Sequence, residues 1–183
     1  MTRRVDAQRN YQAILTAAEQ VFAEHSPECP LQLVAEAAGV GRGTLYRHFP
    51  DRISLVAALY ETRMQRYNDF VTENAQDPDV LFKLLRLVAL DQIRIPGLYQ
   101  TISSSISSNE YLNDLWQRTQ DLFIGPLEVA NKGGKFRCEM TIQEVFLAVS
   151  MLHGVANSPQ VIPHDEVLVD HAIAVLRRGL EKE

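Results

Sequence analysis

Cysteine is scarce in this sequence: Cys29 and Cys138 are the only two in 183 residues. They lie far apart in sequence, so a reduced, cytoplasmic chain is expected, with a single disulfide between them as the weaker alternative. A redox role for either thiol is the lesser reading beside that of a small apolar residue. No run of about 18 apolar residues occurs, so no transmembrane helix and no membrane partner are expected. The first ten residues, MTRRVDAQRN, are charged and lack an apolar signal segment. There is no Gly-rich phosphate loop, nucleophile elbow or pair of catalytic carboxylates. None of His25, His48, His153, His164 and His171 stands at a metal-ligand spacing from a cysteine or an acid. His164 and His171 are one helical face apart, but no further ligand joins them. These absences argue against an enzyme and against a metal or cofactor. Two rivals stay open: a helical enzyme whose polar residues converge only in the fold, and a helical interaction adaptor.

What is present is helical periodicity from end to end, with no convincing alternating strand. Asp6 is a plausible N-cap for a first helix, with Ile14, Ala18, Val21 and Phe22 as its apolar stripe. That helix stops near His25, before Pro27 and Pro30. Leu31 to Ala38 is a short second helix. Gly39 supplies the left-handed backbone that ends it, and Arg42 to His48 is a third helix. Asp51 caps a long helix from Arg52 to about Glu73, whose back half, ETRMQRYNDF, is polar enough for a connector. Further helices are expected from Pro78 to before Pro96, from Leu98 to Ile106, and from Asn109 onward with a kink at Gly125-Pro126. Two more follow, from Thr141 to about Asn157 and from His164 to Leu180. The fold class is all-α with about nine helices. Residues 1–51 are expected to form a three-helix N-terminal domain and residues 52–183 a helical C-terminal domain.

LQLVAEAAGVGRGTLYRHF, Leu31 to Phe49, reads as helix, Gly-containing turn, helix. Its second helix buries Leu45 and leaves two cations, a hydroxyl, a phenol and an imidazole for other surfaces. That set makes a poor core and a good groove reader. A plain helical hairpin would share the helices but has no need of those side chains. The stretch AEAAGVGRGTLYRHFPDRISLVAAL, Ala35 to Leu59, resembles the signature of the tetracycline-repressor (TetR) family of transcriptional regulators. With NYQAILTAAEQVFAEH before it, the resemblance covers roughly the first 70 residues. It implies a helix-turn-helix domain followed by a helical ligand-binding and dimerisation domain, in a homodimer released from a palindromic operator by a small-molecule effector. An activator of the same fold is the nearest alternative. Three positions depart from the family pattern: Pro30 in place of a capping hydroxyl, Leu33 in place of a polar residue, and Gly41 at the start of the reading helix.

The candidate DNA-binding residues are Arg3, Arg4, Arg42, Gly43, Thr44, Tyr46, Arg47, His48 and Arg52. Arg42 at the start of the second helix suits a bidentate guanine contact. Gly43 leaves room for the backbone, and Thr44 suits a thymine methyl or a phosphate. The resemblance makes Tyr46, His48 and Arg52 phosphate contacts. Arg3 and Arg4 read as a basic arm, with a plain tail as the alternative. The net charge of −5 does not oppose double-stranded DNA, because residues 1–72 carry eight Arg and eight acidic residues while the acidic excess lies in 73–183. Binding should be salt-sensitive.

The last two helices are apolar around most of their circumference and need burial on several sides. Ile142, Val145, Val149, Leu152, Leu168, Ala172, Val175 and Leu176 are therefore candidates for a homodimer interface, with a monomer core as the alternative. The resemblance implies a ligand cavity among the middle helices, for an apolar or aromatic effector. Its candidate lining is Leu84, Val88, Asp91, Tyr99, Ile102, Trp116, Phe123, Phe146 and Met151, though such residues at helical spacing also suit a core. Asp91, on the Leu84 and Val88 side of an apolar helix, would want a cation or a hydrogen-bond donor. A solvated Asp91 is equally open.

Overall fold

A computed structural model describes residues 2–134, 136–158 and 166–182, apart from the side chains of residues 2–4 and 108. The described residues form ten α-helices: α1 (Thr2–His25), α2 (Leu31–Ala37), α3 (Arg42–His48), α4 (Arg52–Glu73), α5 (Val80–Arg94), α6 (Leu98–Ser103), α7 (Glu110–Leu122), α8 (Ile124–Lys132), α9 (Ile142–Ala156) and α10 (Glu166–Leu180). A 3-10 turn, Ile106–Ser108, precedes α7. The break between α7 and α8 falls at Phe123, just before Gly125-Pro126, so counting that pair as one bent helix gives the expected nine. No strand occurs among the described residues, only an isolated bridge between Phe136 and Glu181. None of their helices is long and apolar enough to cross a membrane.

Local chemistry sets the helix ends. Asp51 caps α4: its Oδ1 accepts from Ser54 N at 2.7 Å, and Ser54 Oγ donates to the Asp51 carbonyl at 2.7 Å. Thr141 and Glu144 form a reciprocal capping box on α9, and the two hydrogen bonds from Thr141 hold the Glu144 carboxyl below its ordinary range. Asn109 Oδ1 accepts from Leu112 N at 3.1 Å at the start of α7. Asp6 is not a cap, since α1 already runs from Thr2. Gly39 takes φ 65°, and Val40 N returns to the Ala35 carbonyl at 3.0 Å, which closes α2.

The chain divides into two compact units, Met1–Arg63 with Ile95–Leu112, and Met64–Arg94 with Asn113–Glu183. This division differs from the one expected at 51/52: the first half of α4 and the middle segment around α6 belong with the N-terminal helices. In the first unit Ile14, Ala18, Phe22, Val34, Leu45, Leu55 and Val56 are essentially inaccessible. They close a core between α1, α2, α3 and the start of α4. The second unit is built on α5, which packs against α8, α9 and α10. Arg86 of α5 donates to Asp170 at 2.5 Å and to Glu166 at 3.1 Å, and Arg177 of α10 reaches back to Asp79 at 3.0 Å.

Candidate functional site

The second and third helices make the turn that the sequence predicts. Val34 and Ala35 of α2 and Leu45 of α3 are buried, and this fixes which side of α3 faces out. Arg42, Gly43, Tyr46 and Arg47 are exposed and Thr44 half-exposed. Arg42 and Arg47 have no ion-pair or hydrogen-bond partner among the described residues. A Cβ placed on Gly43 would meet nothing within 4 Å, so the backbone there is open to a close approach. Neither Pro30 nor Gly41 gives its helix a side-chain cap, and Leu33 is exposed beside them. The departures from the family pattern therefore lie on the outer surface and leave the turn's core intact.

Two residues on the phosphate side are turned inward. The His48 ring lies 6.1 Å from the Tyr11 ring and 6.4 Å from Phe49, and its Nε2 is buried without a hydrogen-bond partner among the described residues. Arg52 is half-buried, and its guanidinium donates to the Pro27 carbonyl in the α1–α2 loop. An arginine at the start of α4 has a main-chain acceptor within reach there. The expected outward contact gives way to that charge-assisted bond. The side chains of Arg3 and Arg4 lie outside the described residues; their backbone belongs to α1, so the basic arm is helical.

Tyr11 packs on Phe49 with ring centroids 5.1 Å apart, and burial followed by the Glu61 charge raises its phenol pKa. Arg63, nearly buried, lies 3.8 Å from Glu19 of α1. Cys29 is buried, which raises its thiol pKa, and Cys138 is exposed; both are free.

The expected pocket residues do not come together as one group. Leu84, Phe123, Trp116 and Phe146 are core or near-core, with Phe146 5.3 Å from Trp116 and 5.7 Å from Phe123, and Val88 is half-buried nearby on α5. Met151 is not with them; it is 51% exposed on the outer side of α9. Tyr99 and Ile102 are corrected as well, because α6 belongs to the first unit, where Ile102 is buried and burial raises the Tyr99 phenol. Asp91 is the informative member. It is 4% exposed, accepts from Tyr67 Oη at 2.6 Å and pairs with the Arg66 guanidinium. A carboxylate among apolar neighbours thus has both the cation and the donor its desolvation demands. Asp91 lines a recess of about 450 Å³ with Arg66, Leu87, Leu90, Ile93, Arg94 and Glu166. Sequence reasoning missed these neighbours, although Leu87, Leu90 and Arg94 share one helical face at i, i+3 and i+7.

The outer face of α9 and α10 is apolar. Val145, Val149 and Leu152 are corrected here: they are 0 to 5% exposed within the single chain, on an α9 that packs against both α5 and α10. Ile142 is half-buried. The side left open carries Leu147, Met151, Val167 and Val175, each 51 to 58% exposed. A groove of about 320 Å³ runs between Met151, Leu152 and Val155 on one helix and Leu168, His171, Ala172, Val175 and Leu176 on the other.

Comparison with known proteins agrees with this geometry. Residues 14–59 match the family model for bacterial regulatory proteins, tetR family. A 52-residue stretch is 48% identical to the HTH-type transcriptional repressor LfrR of Mycolicibacterium smegmatis, covering 28% of this chain and 27% of that protein. The HTH-type transcriptional repressor BepR of Brucella suis is 26% identical over 95% of each chain. Among solved structures, the TetR-like regulator LfrR from Mycobacterium smegmatis in complex with proflavine shares the fold, with a TM-score of 0.67 at 24% identity over 96% of this chain and 98% of that one.

Proposed function

Because the chain belongs to the TetR family of bacterial transcriptional regulators, we propose that it is a homodimeric repressor that reads a palindromic operator with α3 and lets go when a small effector binds its C-terminal helices. The observation that carries the reading is the outward set Arg42, Gly43, Thr44, Tyr46 and Arg47 on a helix anchored by Leu45. Arg42 reads a guanine, and Tyr46 and Arg47 hold phosphates. The reading helix belongs to the unit of Met1–Arg63 with Ile95–Leu112, and the unit of Met64–Arg94 with Asn113–Glu183 carries effector binding and pairing.

One seven-residue helix specifies few bases, so two copies on half-sites about 34 Å apart are needed. The apolar groove and the exposed Leu147, Met151, Val167 and Val175 supply the pairing surface, which gives α9 and α10 the burial their composition calls for. The effector is a small molecule with an apolar or aromatic body; the proflavine bound by LfrR is a precedent for an aromatic ligand in a protein of this fold. Its binding shifts α4, which runs from the capped Asp51 through Arg66, and takes the two reading helices out of register. A full switch needs about 5.5 kcal/mol of differential affinity between the two states.

The test is selection of bound sequences from a random duplex pool with purified protein at fixed salt. Enrichment of a two-fold symmetric site is the expected outcome. A folded dimer that enriches nothing at low salt sinks the reading.

A further inference from the structure

We infer that the recess around Asp91 is an effector site selective for a small amphiphile with an anionic head, which Arg94 receives; this rests on the ligand-responsive reading above. The charges of the recess balance except at one place. Asp91 is satisfied by Arg66 and by the Tyr67 hydroxyl. Glu166, at the rim, accepts from Arg86 at 3.1 Å. Arg94 is exposed at the end of α5 and has no ion-pair or hydrogen-bond partner among the described residues. A guanidinium is a planar fork of donors matched to a carboxylate.

The wall beside this fork is apolar. Leu87, Leu90 and Ile93 are half-buried, so each keeps part of its surface uncovered in the recess. Leu90 and Arg94 are i, i+4 on α5, which places the head and the start of an apolar body one helical turn apart. The volume of about 450 Å³ falls in the range of small-ligand pockets.

The same balance excludes other heads. A cation would have to displace Arg66 or Arg86 from acids they already hold. A phosphate dianion would bring a second negative charge beside Asp91 and Glu166 with one guanidinium to meet it. A monoanionic carboxylate leaves every group paired.

The experiment uses the full chain and matched probes: octanoate, octanol and octylammonium, with 2-naphthoate and 2-naphthol as an aromatic pair, followed by calorimetry. One anion should bind at least tenfold more tightly than its neutral counterpart. Arg94→Gln should remove that preference while the alcohols bind as before, and Arg94→Lys should restore part of it. Melting curves of both variants check that they fold. The proposal is overturned if neither anion binds, if octylammonium is preferred, or if the preference survives in Arg94→Gln. Failure of the regulatory reading is separately visible: a head-group preference that depends on Arg94, in a protein that enriches no operator, leaves the site standing and removes the switch. Operator enrichment without any such preference removes the site alone.

Discussion

Arginine is used differently in the two compact units. On α3 in the first unit, Arg42 and Arg47 are exposed and hold no partner among the described residues. In the second unit Arg66, Arg86 and Arg177 each grip a carboxylate, and Arg177 also lies 4.8 Å over the Phe82 ring. Net charge hides this contrast, because residues 1–72 sum to zero while the whole chain carries −5. A surface meant for a polyanion is marked by cations left without an acid, not by the sum of charges. By the same rule Arg94 departs from the paired arginines around it, whereas Arg52, which resembles a DNA contact in sequence, is engaged within its own unit.

The comparison can be broken most severely at the pairing surface. Met151→Asp with Val175→Asp should turn the proposed dimer into a monomer at micromolar concentration and lower operator affinity by about two orders of magnitude or more. Sedimentation equilibrium and a binding titration check this, and a dimer that survives would place the interface elsewhere. Next comes the Arg66–Asp91 pair, in which the carboxylate is buried and the guanidinium partly exposed. Arg66→Ala takes the cation from a desolvated carboxylate, and should cost about 2 kcal/mol in urea unfolding. A loss below about 1 kcal/mol would class this pair with exposed ones.

A subtler contrast sharpens the division within the first unit. Arg42→Ala should cost about 1–3 kcal/mol at one operator position and relax base preference there, with little effect on the melt. Arg52→Ala should do the opposite, lowering stability by about 1.5–3 kcal/mol through the lost charge-assisted bond while the salt dependence of DNA binding keeps its slope. A slope reduced by about one unit would return Arg52 to the phosphates. The smallest effect belongs to Glu144. Its carboxyl pKa is depressed in the folded chain, so its contribution is present above the ordinary carboxylate pKa and is lost as pH falls through the folded value. Stability curves of wild type and Glu144→Gln should therefore converge toward acid pH; a constant gap would mean that the capping box owes nothing to charge.

The helices themselves were legible because their ends carry local chemistry. Asp51, Gly39 and Thr141 act within three or four residues, so α3 and α4 begin and end where the spacing places them. Sidedness was harder where a helix is apolar all round. On α9, periodicity does not distinguish Val145 and Val149, which are buried, from Leu147 and Met151, which face out. Partners distant in sequence were invisible for the same reason. Arg52 meets a main-chain carbonyl 25 residues away, and Arg86 meets acids 80 and 84 residues away; no local pattern encodes either. Asp91 was the exception, because a carboxylate on an apolar face advertises its need for a cation even where the cation cannot be named.

The α6 segment joins the first unit from the middle of the chain. Gly97, at φ 84°, comes so close to the α1–α2 loop that a Cβ there would lie 3.7 Å from Pro27 Cδ, and the Thr101 hydroxyl stands 3.4 Å from Glu28 Oε1. Ile95, Leu98 and Ile102 are buried in the same unit. On the ribosome, then, α3 emerges well before the unit that supports it is complete. The first three helices must wait for roughly fifty more residues, among them α5 of the second unit's own core, before their last apolar side chains have somewhere to go. A graft of residues 1–63 onto another protein would carry the exposed face of α3 without part of its foundation, and a transplant that works should include the segment through Leu112 or replace its three buried side chains.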